Sequence, residues 1–132
     1  MKGIEKPYRY IFWAGYVLVF AEAFMTLKVN LHKITIGVVS IKFHLDQVLH
    51  TTVYFLICMY FLVGEYMGLK LFKNRSFIKF LVVVLTLATV TEVVQLWVPE
   101  RSCNVFDWLS NIVGICVGVG VIWGTRRMRI RD

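Results

Sequence analysis

The sequence predicts an all-α membrane protein, a single domain over residues 1–132 built as a four-transmembrane-helix bundle with both termini cytoplasmic. Three observations carry that expectation. Of the 132 residues, 58% are hydrophobic and only 17% are charged, with a mean hydropathy of +0.69. A soluble domain runs nearer to roughly 45–50% apolar and about 25% charged. The apolar residues also gather into four windows of about 20 residues, the length needed to cross a bilayer. Finally, most cations lie outside those windows, on alternate connections. The composition excludes a disordered chain and argues against an ordinary soluble enzyme. Cys58, Cys103 and Cys116 form no C-x-x-C and no zinc-like spacing, so neither a disulfide framework nor a zinc module is indicated.

The first window, Tyr8–Leu27, follows Lys2, Lys6 and Arg9 and is heavy in aromatics (Phe12, Trp13, Tyr16, Phe20). Ala21-Glu22-Ala23 gives it a second reading as a signal peptide with an A-x-A cleavage site, against which the bulky aromatics weigh. The second window is Asp46–Leu69, the third Phe77–Val98 and the fourth Val105–Gly124. Between them lie a long connection (Lys28–Leu45) with strand-prone Ile34–Phe43, a basic loop (Lys70–Ser76) and a short turn (Pro99–Asn104). These windows leave no room for a separate soluble domain. Trp97 and Trp108 flank the short turn as interfacial anchors, and Tyr8, Tyr10, Trp13 and Trp123 take that role on the other side.

Counting cations beside the spans orients the chain. Eleven of the fifteen Lys and Arg fall on one side: Lys2, Lys6, Arg9, Lys70, Lys73, Arg75, Lys79, Arg126, Arg127, Arg129 and Arg131. The other side has Lys28, Lys33, Lys42 and Arg101. The net charge of +7 is thus a topology signal with attraction to anionic lipid, and no nucleic-acid partner is needed to explain it.

The acids are more informative. Glu22, Asp46, Glu65, Glu92 and Asp107 lie in or beside apolar windows, where ionisable groups face a bundle interior or a wet cavity. In the predicted orientation all but Glu65 fall towards the outer face, most of them about 5–15 Å from the midplane at 1.5 Å per residue. Asp46, His50, Val53 and Ile57 share one helix face, with Tyr54 at its edge; Asp107, Asn111, Gly114 and Gly118 share another, and Glu92 and Gln95 a third. The expectation is one composite site open to the outer leaflet. Polar contacts between membrane helices also serve as plain packing, at about 0.6 kcal/mol each, and Gly114-x-x-x-Gly118 and Gly120-x-x-x-Gly124 read as close-packing surfaces. For Asn111 and Gln95 both readings stand. Asp46, His50, Glu92 and Asp107 together are costly as glue, because like charges must protonate or find cations.

Thr91-Glu92-x-x-Gln95-x-x-x-Pro99-x-Arg101, followed by Asp107-x-x-x-Asn111-x-x-Gly114-x-x-x-Gly118, resembles the signature of the VanZ-like membrane protein family, and Asp46-x-x-x-His50-x-x-x-Tyr54 resembles that family's other motif. The resemblance covers about Asp46 to Gly118. Gln47 stands where a Lys is common, Thr51 where an aromatic often follows the His, and Glu100 where Gly is frequent; the missing Lys removes one partner for the acids. The family takes its name from a member linked to resistance to the glycopeptide teicoplanin. The resemblance implies a bacterial inner-membrane, multi-pass protein with a cell-envelope role, and it supplies no reaction.

Three functions remain open on these residues. In the first, Asp46, His50, Tyr54, Glu92, Gln95, Asp107 and Asn111 engage or shield a lipid-linked cell-wall precursor or a glycopeptide at the outer leaflet, with Arg101 orienting an anionic group bidentately. In the second, an intramembrane enzyme acts on a lipid phosphate, with His50 as acid/base or nucleophile and Glu92 and Asp107 as orienting groups or bases. There the acids outnumber Arg101, and a divalent metal (Mg²⁺, Mn²⁺ or Zn²⁺) on Asp46, His50, Glu92 and Asp107 would reverse that balance; the sequence requires no cofactor. In the third, the acids relay ions, which with four short helices needs a homo-oligomer. His32 and His44 read as solvated loop residues, and Cys103 admits a dimeric disulfide.

Overall fold

A computed structural model describes residues 2–22, 45–98 and 105–131, and these form helices and one tight connection, with no strand among the described residues. The helices are α1 (Lys2–Glu22), α2 (Leu45–Tyr66), α3 (Ser76–Val94) with a 3-10 turn at Gln95–Trp97, and α4 (Val105–Arg131). Ile34–Phe43, His32, His44, Arg101 and Cys103 lie outside the described residues, as does the Asp46 side chain.

Among the described residues, three helices are long and apolar enough to cross a membrane: Gln47–Tyr66, Ser76–Trp97 and Val105–Arg131. With the outward-facing Leu56, Val82 and Val117, they mark a membrane protein. The described part of α1 is not among them. Glu5, Lys6, Arg9 and Glu22 leave only Tyr10–Ala21 uncharged within it, and the rest of the expected first window lies beyond Glu22.

Two helix ends differ from the sequence expectation. The second window was expected to reach Leu69, but α2 stops at Tyr66 in a Schellman cap. The Leu69 N–H donates to the Gly64 carbonyl (2.8 Å) and the Gly68 N–H to the Glu65 carbonyl (3.1 Å). Gly68 takes φ 71° there, a left-handed geometry that costs glycine nothing sterically. The fourth window was expected to end at Gly124, but α4 runs on through Arg131. Arg129 and Arg131 in its last turn complement the negative end of the helix dipole. At 1.5 Å per residue α4 is about 40 Å long, beyond the roughly 30 Å of a hydrocarbon core.

The closest packing is between α2 and α4, where α4 turns small residues inward. A Cβ on Gly114 would collide with the Thr51 carbonyl oxygen, and one on Gly118 with the Cys58 side chain. The absence of side chains at these two positions lets the backbones approach, and Thr51 Oγ1 then donates to the Ser110 carbonyl at 3.1 Å. This is the small-xxx-small solution for membrane helices, which have no hydrophobic driving force between them and rely on contact and hydrogen bonds.

At the end where α2 closes and α3 opens, the core is aromatic. Tyr8 stacks on Tyr60 with centroids 5.0 Å apart, Phe61 stacks on Phe80 at 4.2 Å, and Phe12 lies against Phe80 at 6.1 Å. The Tyr60 hydroxyl donates to the Tyr8 carbonyl (2.9 Å), and Arg9 Nε donates to the Lys70 carbonyl (2.9 Å). Glu65 accepts two hydrogen bonds from Arg126, one from Nε at 3.0 Å and one from Nη2. The Arg126 guanidinium lies over the Phe77 ring at 4.6 Å, and that of Arg129 over Tyr66 at 5.9 Å. These contacts bring the basic segments around Arg9, Lys70–Lys79 and Arg126–Arg131 to one end of the bundle.

Candidate functional site

The opposite end is built from the last turns of α1 and α3 and the first turns of α2 and α4. There the structure holds a partly open cavity of about 50 Å³, lined by Val19, Glu22, Leu49, His50, Val53, Tyr54, Thr91 and Gln95. That volume accommodates a few water molecules or the tip of one polar group.

Each wall follows from local helical geometry. Consecutive residues on a helix point about 100° apart, so on α2 the Thr51 and Cys58 stripe faces α4 while His50, Val53 and Tyr54 turn away from it into the cavity. On α3, Thr91 and the adjoining Gln95 are four residues apart and share the cavity face. Thr91 donates to the Leu87 carbonyl at 2.8 Å. Tyr54 is therefore the donor in the 3.5 Å contact between the two hydroxyls. With the protons so placed, both hydroxyl oxygens retain an acceptor lone pair.

Behind this wall lies a second polar element. Glu92 is 2% exposed and Asn111 is 0% exposed. Asn111 Nδ2 donates to Glu92 Oε1 at 3.3 Å and joins α4 to α3. Asn111 Oδ1 has no hydrogen-bond partner among the described residues. Tyr54, 2% exposed, lines the cavity and contacts Thr91, the residue before Glu92. Trp108 Nε1 adds a second α4–α3 link, donating to Thr89 Oγ1 at 3.4 Å.

The expected composite site is therefore divided. His50, Tyr54 and Gln95 meet at the cavity. Glu92 and Asn111 pair inside the α3–α4 contact, and Gly114 and Gly118 lie in the α2–α4 contact. Asp107 is half-buried in the first turn of α4, where a negative charge favours the helix N-terminus, and it does not line the cavity. Among the described residues, no three His, Cys, Asp or Glu side chains gather at metal-binding distance. His50, Glu92 and Asp107 thus do not form such a set, and the fourth member, Asp46, has its side chain outside the described residues.

Sequence reasoning did not place Thr91, Glu22 or the α1 wall in the site. Thr91 was legible as the residue one turn before Gln95. For Glu22 the only signal was depth, because nothing local says that α1 packs beside α2 and α3. The Glu65–Arg126 pair spans 61 residues of sequence and left no local trace.

Neither a curated protein nor a solved structure matches the chain. The sequence model of the VanZ/LLP1 family matches residues 8–127, from the buried Tyr8 of α1 to the arginines that close α4. Because that match spans the whole bundle, including the Tyr54–Thr91–Gln95 wall and the Glu92–Asn111 pair, the chain belongs to the VanZ/LLP1 family.

Proposed function

We propose that this protein crosses the bacterial inner membrane four times with both termini cytoplasmic. Its cavity near the outer leaflet engages or shields a lipid-linked envelope component, and through it affects susceptibility to glycopeptides such as teicoplanin. The observation that carries this reading is the polar cavity at the end of the bundle remote from the basic segments. By the positive-inside rule the basic end is cytoplasmic, which puts His50, Tyr54 and Gln95 on the outer side. Polar groups kept at membrane depth around a cavity, and not consumed in packing, mark a ligand pathway. Arg101, in the short connection before α4, is assigned the anionic part of that ligand, since a guanidinium matches phosphate or carboxylate bidentately.

Binding is favoured over the lipid-phosphate enzyme on a specific ground. Catalysis with His50, Glu92 and Asp107 needs those groups around one reacting atom, whereas Glu92 lies behind the cavity wall, paired with Asn111. A domain this small supports the ion-relay reading only as an oligomer, in which two or more copies would complete a path.

The test has two arms. In a variant whose only cysteine replaces Leu49, a membrane-impermeant thiol reagent is expected to label intact cells, and labelling only after permeabilisation would overturn the orientation. A photo-crosslinking side chain at Leu49 is expected to capture lipid in cells while the same group at Ile130 captures a different set. Identical captured sets at the two positions would refute a selective outer site.

A further inference from the structure

The proposal that the cavity engages an outer-leaflet lipid leaves the recognised group unspecified, and the chemistry of the walls specifies it. The Thr91 and Tyr54 hydroxyl protons are spent on the Leu87 carbonyl and on Thr91 Oγ1, respectively. What the two groups still present to the cavity is oxygen lone pairs. Glu22 adds a carboxylate, which only accepts while ionised, and Gln95 adds an amide oxygen. A neutral His50 adds one ring-nitrogen acceptor. The donors that remain are the Gln95 amide hydrogens and one His50 N–H.

Charge points the same way. Among the described residues no Lys or Arg lines the cavity, and the described ion pair, Glu65 with Arg126, lies at the other end. Glu22, exposed at the end of α1, is the carboxylate on the described lining, and a cation entering there meets an opposite charge. The small volume adds a third constraint. About 50 Å³ suits a compact head with its first carbon, and Val19, Leu49 and Val53 offer apolar surface to the carbons beyond it.

From these acceptors, this charge and this size we infer that the cavity takes the primary ammonium group of an outer-leaflet lipid, with Glu22 as its counter-ion and Tyr54, Thr91, Gln95 and His50 as acceptors. A primary ammonium brings three donors and one positive charge to a described lining with no Lys or Arg and more acceptors than donors. A quaternary ammonium brings the charge without donors and is recognised by cages of several aromatic rings, whereas this cavity has one tyrosine. A phosphate brings only acceptors and a charge of the wrong sign. Two lipids carry the required group: an aminophospholipid, and a polyprenyl-linked peptide with a free amine.

The inference rests on the outer-leaflet lipid reading, and the experiment separates the two. The full chain is placed in nanodiscs of phosphatidylglycerol mixed with phosphatidylethanolamine, with phosphatidylcholine, or with a trace of polyprenyl-linked peptide bearing a free or an acetylated amine. Lipids retained on the released protein are then identified by native mass spectrometry. The expected result is retention of phosphatidylethanolamine or of the free-amine peptide, whichever is the natural source. Retention should fall about tenfold for the trimethylated or acetylated counterpart and for Glu22→Gln, the scale of losing a charged hydrogen bond. Glu22→Asp should restore part of it, and Glu65→Gln, at the far end, should leave it unchanged. Equal retention of the primary and blocked amines overturns the ammonium inference. If that undiscriminating retention still falls in Gln95→Ala, the lipid-engaging cavity stands without it. Absence of any retained lipid in the wild-type chain overturns both.

Discussion

The two ends of this bundle use similar side chains to opposite effect. At the basic end, Glu65 and Arg126 complete each other, Phe77 caps the guanidinium, Arg9 reaches the Lys70 carbonyl, and rings fill the space between helices. These contacts tie α1, α2, α3 and α4 together, and the result is a clamp. At the other end, Tyr54, Thr91, Gln95, His50 and Glu22 line a cavity with spare acceptors. Burial alone does not separate the two ends, since the Glu92–Asn111 pair beside the cavity is more deeply buried than Glu65 or Arg126. What separates them is placement: the clamp and the Glu92–Asn111 pair lie between helices, while the cavity groups border open space.

The largest expected effect comes from breaking the contact that both ends share. Gly118→Leu forces a side chain into Cys58 and should destabilise the protein by about 3 kcal/mol, the upper range for overpacking a fitted contact. Unfolding in mixed detergent micelles would measure it, and a change below ~0.5 kcal/mol would mean that α2 and α4 are not closely packed. Next comes the clamp. Glu65 and Arg126 are 26% and 38% exposed, so solvent screening limits the coupling expected from a double-mutant cycle of Glu65→Gln and Arg126→Gln to about 1 kcal/mol. Lipid retention at the cavity should not change in either variant; a parallel loss would show that the ends are coupled.

Thr51→Val removes the hydroxyl that reaches the Ser110 carbonyl and should cost about 0.6 kcal/mol, the average for an interhelical hydrogen bond in a membrane. The smallest effect on stability is expected at the cavity. Gln95→Ala should shift unfolding by less than the ~0.6 kcal/mol of an interhelical hydrogen bond while lowering lipid retention several-fold. If Gln95→Ala instead destabilises the protein as much as Thr51→Val and leaves retention intact, the cavity end is packing like the rest and the contrast between the ends disappears.

Much of the helical layout was legible before the fold. The windows for α2, α3 and the start of α4 were set by runs of apolar residues, whose periodicity and length are local properties. The helix ends were less legible. The stop at Tyr66 depends on Gly68 adopting a left-handed φ, which a membrane-length apolar run does not announce, and α4 continued because its terminal arginines suit a helix end as well as a loop. For the site, spacing placed His50 with Tyr54, and Asn111 with Gly114 and Gly118, each on a shared face. Spacing could not say that the two faces point to different neighbours, because a helix's rotation about its own axis is set by what packs against it.

The sequence alone determined that the chain is an apolar, helical membrane protein of the VanZ type, that its cations mark one side, and that its informative charges are the few acids. Those are properties of composition, of period, and of residues near one another along the chain. Only the tertiary structure decided which acids lie between helices and which line the cavity. It paired Glu92 with Asn111, joined Glu65 to an arginine at the far end of the sequence, and brought Glu22 from α1 to the cavity that His50 also lines. Whether a polar group is glue or site depends on whether it packs against another helix or borders a cavity, and that is settled by neighbours distant in sequence.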